Sequence, residues 1–181
     1  MGGGCIFVHE DLEFSPISLD KYCKEKDIEV CAVRLKITPI QLIILAIYRS
    51  PSGNFTNFLK NLDSILNTCH SNKVEFVICG DININYLENG NKRQQLDALL
   101  QTYNLTGTVS FPTRKSKAST TNTDNRFITR TKNYNINPHI NGLSDHETQI
   151  ITVENMVPTK QIRSPQRGTL MNKVYCNSNY Y

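Results

Sequence analysis

The chain has no Cys-x-x-Cys pair and no histidine at zinc-finger spacing, although it carries six cysteines. A structural zinc finger or ribbon is therefore excluded. Cys5, Cys31, Cys69 and Cys79 lie among apolar residues, where free thiols behave as small hydrophobes, and this usage suits a reducing, intracellular setting. There is no apolar run of membrane length. The stretch from Cys5 to Val8 is far too short for a span or a signal peptide, so no membrane partner is expected. The opening MGGGC lacks the Ser or Thr that N-myristoylation asks for at the sixth position, where Ile6 stands. Two N-x-[ST] triplets, at Asn54 and Asn104, fall to chance in so Asn-rich a chain. No acid follows Glu154, while Lys160, Arg163, Arg167 and Lys173 do, so the whole net charge of +4 sits in the tail. A second basic stretch runs from Arg114 to Lys132 and contains a lone acid, Asp124. Basic clusters of this kind attract phosphates, although a solvated loop and tail have the same composition.

What is present reads as one domain of 181 residues with ordinary apolar content. GGGCIFVH predicts a short strand after a glycine turn. Ile28–Ile37 alternates, and Leu42–Tyr48 is apolar throughout, which suits a strand buried on both faces; the two predict a hairpin. After the turn-rich SPSGN, residues Phe55, Phe58, Leu59, Leu62, Ile65, Leu66 and Cys69 recur at helical spacing. VEFVIC predicts a buried strand, and Leu96, Leu99, Leu100 and Tyr103 mark a second helix. Short strands are expected at Arg126–Arg130 and Glu147–Val153, with a Thr/Ser/Lys-rich loop from Thr113 to Thr123. No internal repeat is present. The mixture predicts an α/β layered domain over residues 1–153, followed by a basic, disordered tail over 154–181.

Three constellations carry chemistry. In GDININ, Asp81, Asn83 and Asn85 match the first ligand positions of a calcium loop, but Tyr86 and Lys92 stand where its Gly and Glu belong, so that reading fails. If the backbone stays extended past the strand, Asp81 and Asn83 share a face, with Ile82 and Ile84 packed behind. A carboxylate beside an amide at a strand end can hold a water and a phosphate oxygen; a turn role is the equal alternative. GLSDHE lacks the final Gly of a nucleophile elbow, but Asp145 and His146 are a candidate cation ligand and phosphate contact, against the plainer reading of a surface turn. In TDNRF, Asp124 has the setting of a carboxylate that orients an imidazole, or of an ordinary turn former.

Taken in order, GGGCIFVH, AIYRSPSGNF, FVICGDININ, FPTR, TDNRFIT and GLSDHE resemble the endonuclease/exonuclease/phosphatase superfamily, and within it the apurinic-type endonuclease domain of non-LTR retrotransposons. The resemblance covers about Gly2 to Val153. It implies a DNase I-like β-sandwich of mixed sheets flanked by helices. It implies phosphodiester hydrolysis with Mg²⁺ or Mn²⁺ and no other small-molecule cofactor, and DNA as substrate, nicked in the nucleus by a parent polyprotein that continues into a reverse transcriptase. By the same resemblance Asp81 activates the attacking water, Asn83 holds the phosphate, and His146 contacts the scissile phosphate. Asp124 orients His146, Asp145 is a metal ligand, Tyr48 reaches the phosphate, and Thr113 and Arg114 lie near the DNA. The family begins with a strand carrying an Asn and a segment carrying a metal-binding Glu, both before the point matched by GGGC. The expectation is therefore a chain lacking these elements, with weakened cation binding and an exposed sheet edge. The alternatives are a catalytically impaired remnant that at most binds nucleic acid weakly, and an esterase of lipid or inositol phosphates.

Overall fold

The computed structural model describes residues 4–38, 40–115, 120–129, 133–139, 148–154, 157–158 and 176–177. The strands and helices, in chain order, are β1 (Cys5–Ile6), β2 (Phe14–Pro16), β3 (Glu29–Thr38), β4 (Gln41–Tyr48), α1 (Phe55–Cys69), β5 (Val74–Asp81), α2 (Asn91–Thr102), β6 (Leu105–Gly107), β7 (Arg114–Lys115), β8 (Thr120–Thr121), β9 (Asp124–Thr129), β10 (Tyr134–His139), β11 (Thr148–Val153), β12 (Val157–Pro158) and β13 (Cys176–Asn177). A single 3-10 turn, Asp20–Tyr22, precedes β3.

A mixed sheet in the order β12-β3-β4-β5-β9-β6 forms the centre, with β2 also paired to β3. β3 and β4 make the expected antiparallel hairpin. β4 and β5 run parallel, and α1 supplies the crossover that a parallel pair requires. β5 then meets β9 antiparallel. β10 and β11 form a separate antiparallel pair, as do β7 with β8 and β1 with β13.

The unbroken apolar run of β4 follows from burial on both sides. Ile43, Leu45 and Ile47 face a core with Phe58, Leu62, Ile65 and Leu66 of α1 and Leu96 and Leu100 of α2. Leu42, Ile44 and Ala46 face a second core with Val33, Leu35, Val77 and Ile128, against which Ile6, Tyr134, Ile151 and Val153 pack. The molecule is thus three layers deep: helices, central sheet, and the small strand pairs. α1 buries one stripe, Phe58, Leu62, Ile65, Leu66 and Cys69, and starts at Asn54, whose side chain accepts the Asn57 N–H at 3.0 Å. Two of the short strands, β12 and β13, come from the segment read as a tail.

Candidate active site

Three strands end together on one side of the central sheet. In β4, Leu42, Ile44 and Ala46 lie on the face opposite the helices, and alternation carries Tyr48 to the same face. In β5 the same count runs from Val77 and Cys79 to Asp81, and in β9 from Ile128 back to Asp124. Asp81 and Asp124 are direct cross-strand partners, both almost fully buried. Opposed side chains in such a pair stand about 5 Å apart at Cβ, so the sheet register brings together two carboxylates 43 residues apart in sequence. The Arg49 N–H donates to the Asp81 carbonyl at 3.0 Å, which locks the end of β4 onto the end of β5.

Gly80 makes that close approach feasible. Its φ is +134°, and a Cβ there would fall 1.9 Å from the Ile47 carbonyl oxygen. Beyond Asp81 the backbone takes the turn rather than the extended course that was its equal alternative. Asn83 is left-handed, with φ 51°, a conformation Asn tolerates better than most residues. Asp81 and Asn83 come together through a turn instead: the Asn83 N–H donates to Asp81 Oδ1 at 3.0 Å. Ile82 and Ile84 are buried in the helix-side core, as expected. The alternation in the sequence therefore marks a turn whose isoleucines are anchored. The Asn83 side chain spends one of its two amide donors on the Arg49 carbonyl, at 2.8 Å.

Thr113 is fully buried, and its hydroxyl accepts from the N–H groups of both Asp124 (3.1 Å) and Thr123 (3.2 Å). Arg114 follows in β7, where it pairs with Thr121. β11 is fastened to the same strand from the other layer. Gln149 Nε2 donates to the Asp124 carbonyl at 3.1 Å, and an Arg126 guanidinium nitrogen donates to the Gln149 carbonyl at 2.8 Å. Five of the residues expected in the site, Tyr48, Asp81, Asn83, Thr113 and Asp124, therefore gather at one end of the sheet. Asp145 and His146 lie outside the described residues. Among the described residues, no group of three or more His, Cys, Asp or Glu side chains is close enough to hold a metal ion.

Two residues were not foreseen. Arg49 is 1% exposed and lies beneath the Asp81–Asn83 turn. Asp27 is buried beneath the start of α1, where Oδ1 accepts the Asn54 N–H at 2.7 Å and Oδ2 accepts from Asn57 Nδ2 at 2.9 Å. It pins the YRSPSG loop, helped by Ser50 N–H donating to the Lys26 carbonyl at 2.9 Å. Gly53 is required there because a Cβ would come within 2.1 Å of the Lys26 oxygen. The Asn57 hydrogen bond, followed by that of the Asn54 amide, holds the Asp27 carboxyl below its ordinary value. A carboxylate with a depressed folded pKa stabilises the fold above its unfolded pKa, and that contribution is lost as pH falls through the folded value. The melting temperature is thus expected to drop on acidification below about pH 4, and Asp27→Asn is expected to flatten part of that drop in thermal melts across pH.

The family model for endonuclease-reverse transcriptase proteins matches residues 42–150, more than half of the chain. The chain belongs to this family. That membership places it in the endonuclease/exonuclease/phosphatase superfamily, among nucleases and phosphodiesterases. The endonuclease domain of TRAS1, a telomere-specific non-LTR retrotransposon, superposes with a TM-score of 0.61 at 13% identity, over 77% of this chain and 67% of that one. An AP endonuclease from Archaeoglobus fulgidus gives 0.52 at 15% identity, over 84% and 72%. An endonuclease/exonuclease/phosphatase family protein from Leptotrichia buccalis C-1013-b gives 0.51 at 15%, over 69% of this chain and 53% of its own length. The chain thus spans about half of that protein. At such identities the likeness is one of fold, and the endonuclease-reverse transcriptase family member shares the DNase I-like arrangement of mixed sheets and flanking helices. No curated protein matches the sequence. Among the described residues, no helix is long and apolar enough to cross a membrane.

Proposed function

We propose that the chain carries a divalent-metal-dependent, DNA-nicking endonuclease site of non-LTR retrotransposon type. The observation that supports this best is the register of β5 against β9, which opposes Asp81 and Asp124 at a sheet end bordered by Tyr48, Asn83 and Thr113. The side chains offered are carboxylate, amide and hydroxyl, all oxygen donors on the accepting side. This donor chemistry fits a hard cation, Mg²⁺ or Mn²⁺, better than a thiophilic one. Asp145 would hold it. When bound, such an ion offsets the negative charge that grows on a phosphate as it is attacked.

The protein groups divide the rest of the work. Asp81 accepts a proton from the attacking water and orients it. Asn83, with one amide donor already fixed, directs the other at a phosphate oxygen. Tyr48 donates its phenol to the same phosphate. His146 contacts the scissile group and is oriented by Asp124. The anchoring of Gln149 on Asp124 supports this last pairing, because His146 lies three residues before Gln149, a span of at most about 10 Å of extended chain. DNA is the partner in this reading, the nucleus is the place of action, and a reverse transcriptase belongs to the parent polyprotein.

The test is nicking of supercoiled plasmid with Mg²⁺. Asp81→Ala and His146→Ala are each expected to slow nicking by roughly 10²–10⁴-fold while the thermal melt stays cooperative. Absence of nicking, or nicking indifferent to both substitutions, defeats the reading. Salt-sensitive DNA binding without cleavage would identify the chain as a non-catalytic binder.

A further inference from the structure

Asp81 and Asn83 stand on a backbone that reverses hand within two residues, and one buried side chain gathers the carbonyls of that reversal. Arg49 Nε donates to the Ile82 carbonyl at 2.8 Å, and one terminal nitrogen donates to the Asn83 carbonyl at 2.9 Å. The other terminal nitrogen donates to the Gly53 carbonyl at 3.3 Å. The backbone of Arg49 completes the ring of contacts, giving its N–H to Asp81 and receiving Asn83 Nδ2 on its carbonyl. The guanidinium carbon lies 5.8 Å from the ring centroids of both Phe55 and Phe58, within cation–π range.

We propose that Arg49 is a positioning residue: its guanidinium clamps the Asp81–Asn83 turn onto the YRSPSG loop and so aims the Asp81 carboxylate at the substrate. This rests on the endonuclease reading of Asp81 and Asn83. Arg49 does not contact DNA itself, because at 1% exposure it cannot meet a phosphate in the groove. Its hydrogen bonds end on carbonyl oxygens of two loops, which need donors when held away from water. Burial lowers the Arg49 pKa, and the charges of Asp81 and Asp27 act against that shift, so the cation is kept where the carboxylates need it. Lysine cannot substitute. A single ammonium lacks the planar fork that reaches Ile82, Asn83 and Gly53 at once.

The experiment compares backbone amide exchange by NMR, and nicking kinetics, in the wild type, Arg49→Lys, Arg49→Met and Phe55→Leu. In Arg49→Met the Asn83 amide is expected to exchange at least about tenfold faster, while the sheet amides of β4 and β5 stay within roughly twofold. Arg49→Lys falls between the two. Where the wild type nicks, kcat is expected to fall by at least about 30-fold with KM changed by less than roughly threefold. Uniform acceleration at every amide, or no change at Asn83, overturns the proposal, as does full kcat in a folded Arg49→Met protein. If Arg49→Met does not fold, Phe55→Leu decides. Removing one ring from the guanidinium should loosen Asn83 alone by about threefold, and a uniform change or none overturns the clamp. Selective exchange at Asn83 together with nicking that ignores Asp81→Ala overturns the endonuclease reading and leaves the clamp standing.

Discussion

Gly80→Ala is expected to cost about 4 kcal/mol and to lower the melting temperature by roughly 8–16 °C. Two effects add. A φ of +134° is a conformation that L side chains rarely adopt, and the new Cβ would lie 1.9 Å from the Ile47 oxygen and 2.9 Å from its carbon. The clashing atoms are backbone of a central strand buried on both faces, so nothing nearby can swing away. Relief requires β4 and β5 to separate at the end where Arg49 and Asp81 join. Differential scanning calorimetry checks the stability, and a Gly80→Ala protein that melts within 2–3 °C of the wild type would contradict the argument at about the 1 kcal/mol level.

Thr113→Val is the second large effect. The replacement keeps the shape of a fully buried side chain and deletes the oxygen that accepts from Asp124 and Thr123. Two backbone donors lose their partner away from water, and the expected cost is about 2–4 kcal/mol. Thr113→Ser keeps the acceptor and loses one methyl group, so it is expected to cost only about 1 kcal/mol. A Thr113→Val protein as stable as the wild type in urea titrations, beside a destabilised Thr113→Ser protein, would show that the methyl, not the hydroxyl, matters. The Val variant should also loosen the start of β9, where Asp124 is held, and speed exchange of the Asp124 amide more than that of Ile128 in the same strand.

The elements easiest to read in the sequence were those with a face to hide. β4 was legible because both its faces are covered, and α1 because one stripe recurs over four turns. β10 was not. Its sequence, YNINPH, alternates for only four residues before a proline and is mostly exposed, so the pattern is too short to mark a strand without its pairing to β11. The Thr113–Thr123 segment was read as loop, yet β7 and β8 pair within it as two-residue strands too short to leave a pattern. GDININ leaves an extended course and a turn equally open in the sequence, because a turn with anchored isoleucines alternates just as a strand does. Arg49 was passed over because an arginine after an apolar strand normally reaches solvent, and its burial depends on Phe55 and Phe58 closing over it from another element. Asp27 gave little local sign, since its hydrogen-bond partners lie 27 and 30 residues away. Motif order nominates the candidate site residues. Their opposition across β5 and β9 was not legible there, because register is set by packing along the whole sheet.

That opposition fixes when the site can exist during synthesis. A nascent chain that has emerged only as far as α2 already contains the hairpin, the crossover helix and β5, enough to bury one side of a small sheet. Asp81 would then sit on an open border, with no Asp124 across from it. Asp81 gains its cross-strand partner only when the polypeptide 43 residues beyond it docks as β9 and closes that border.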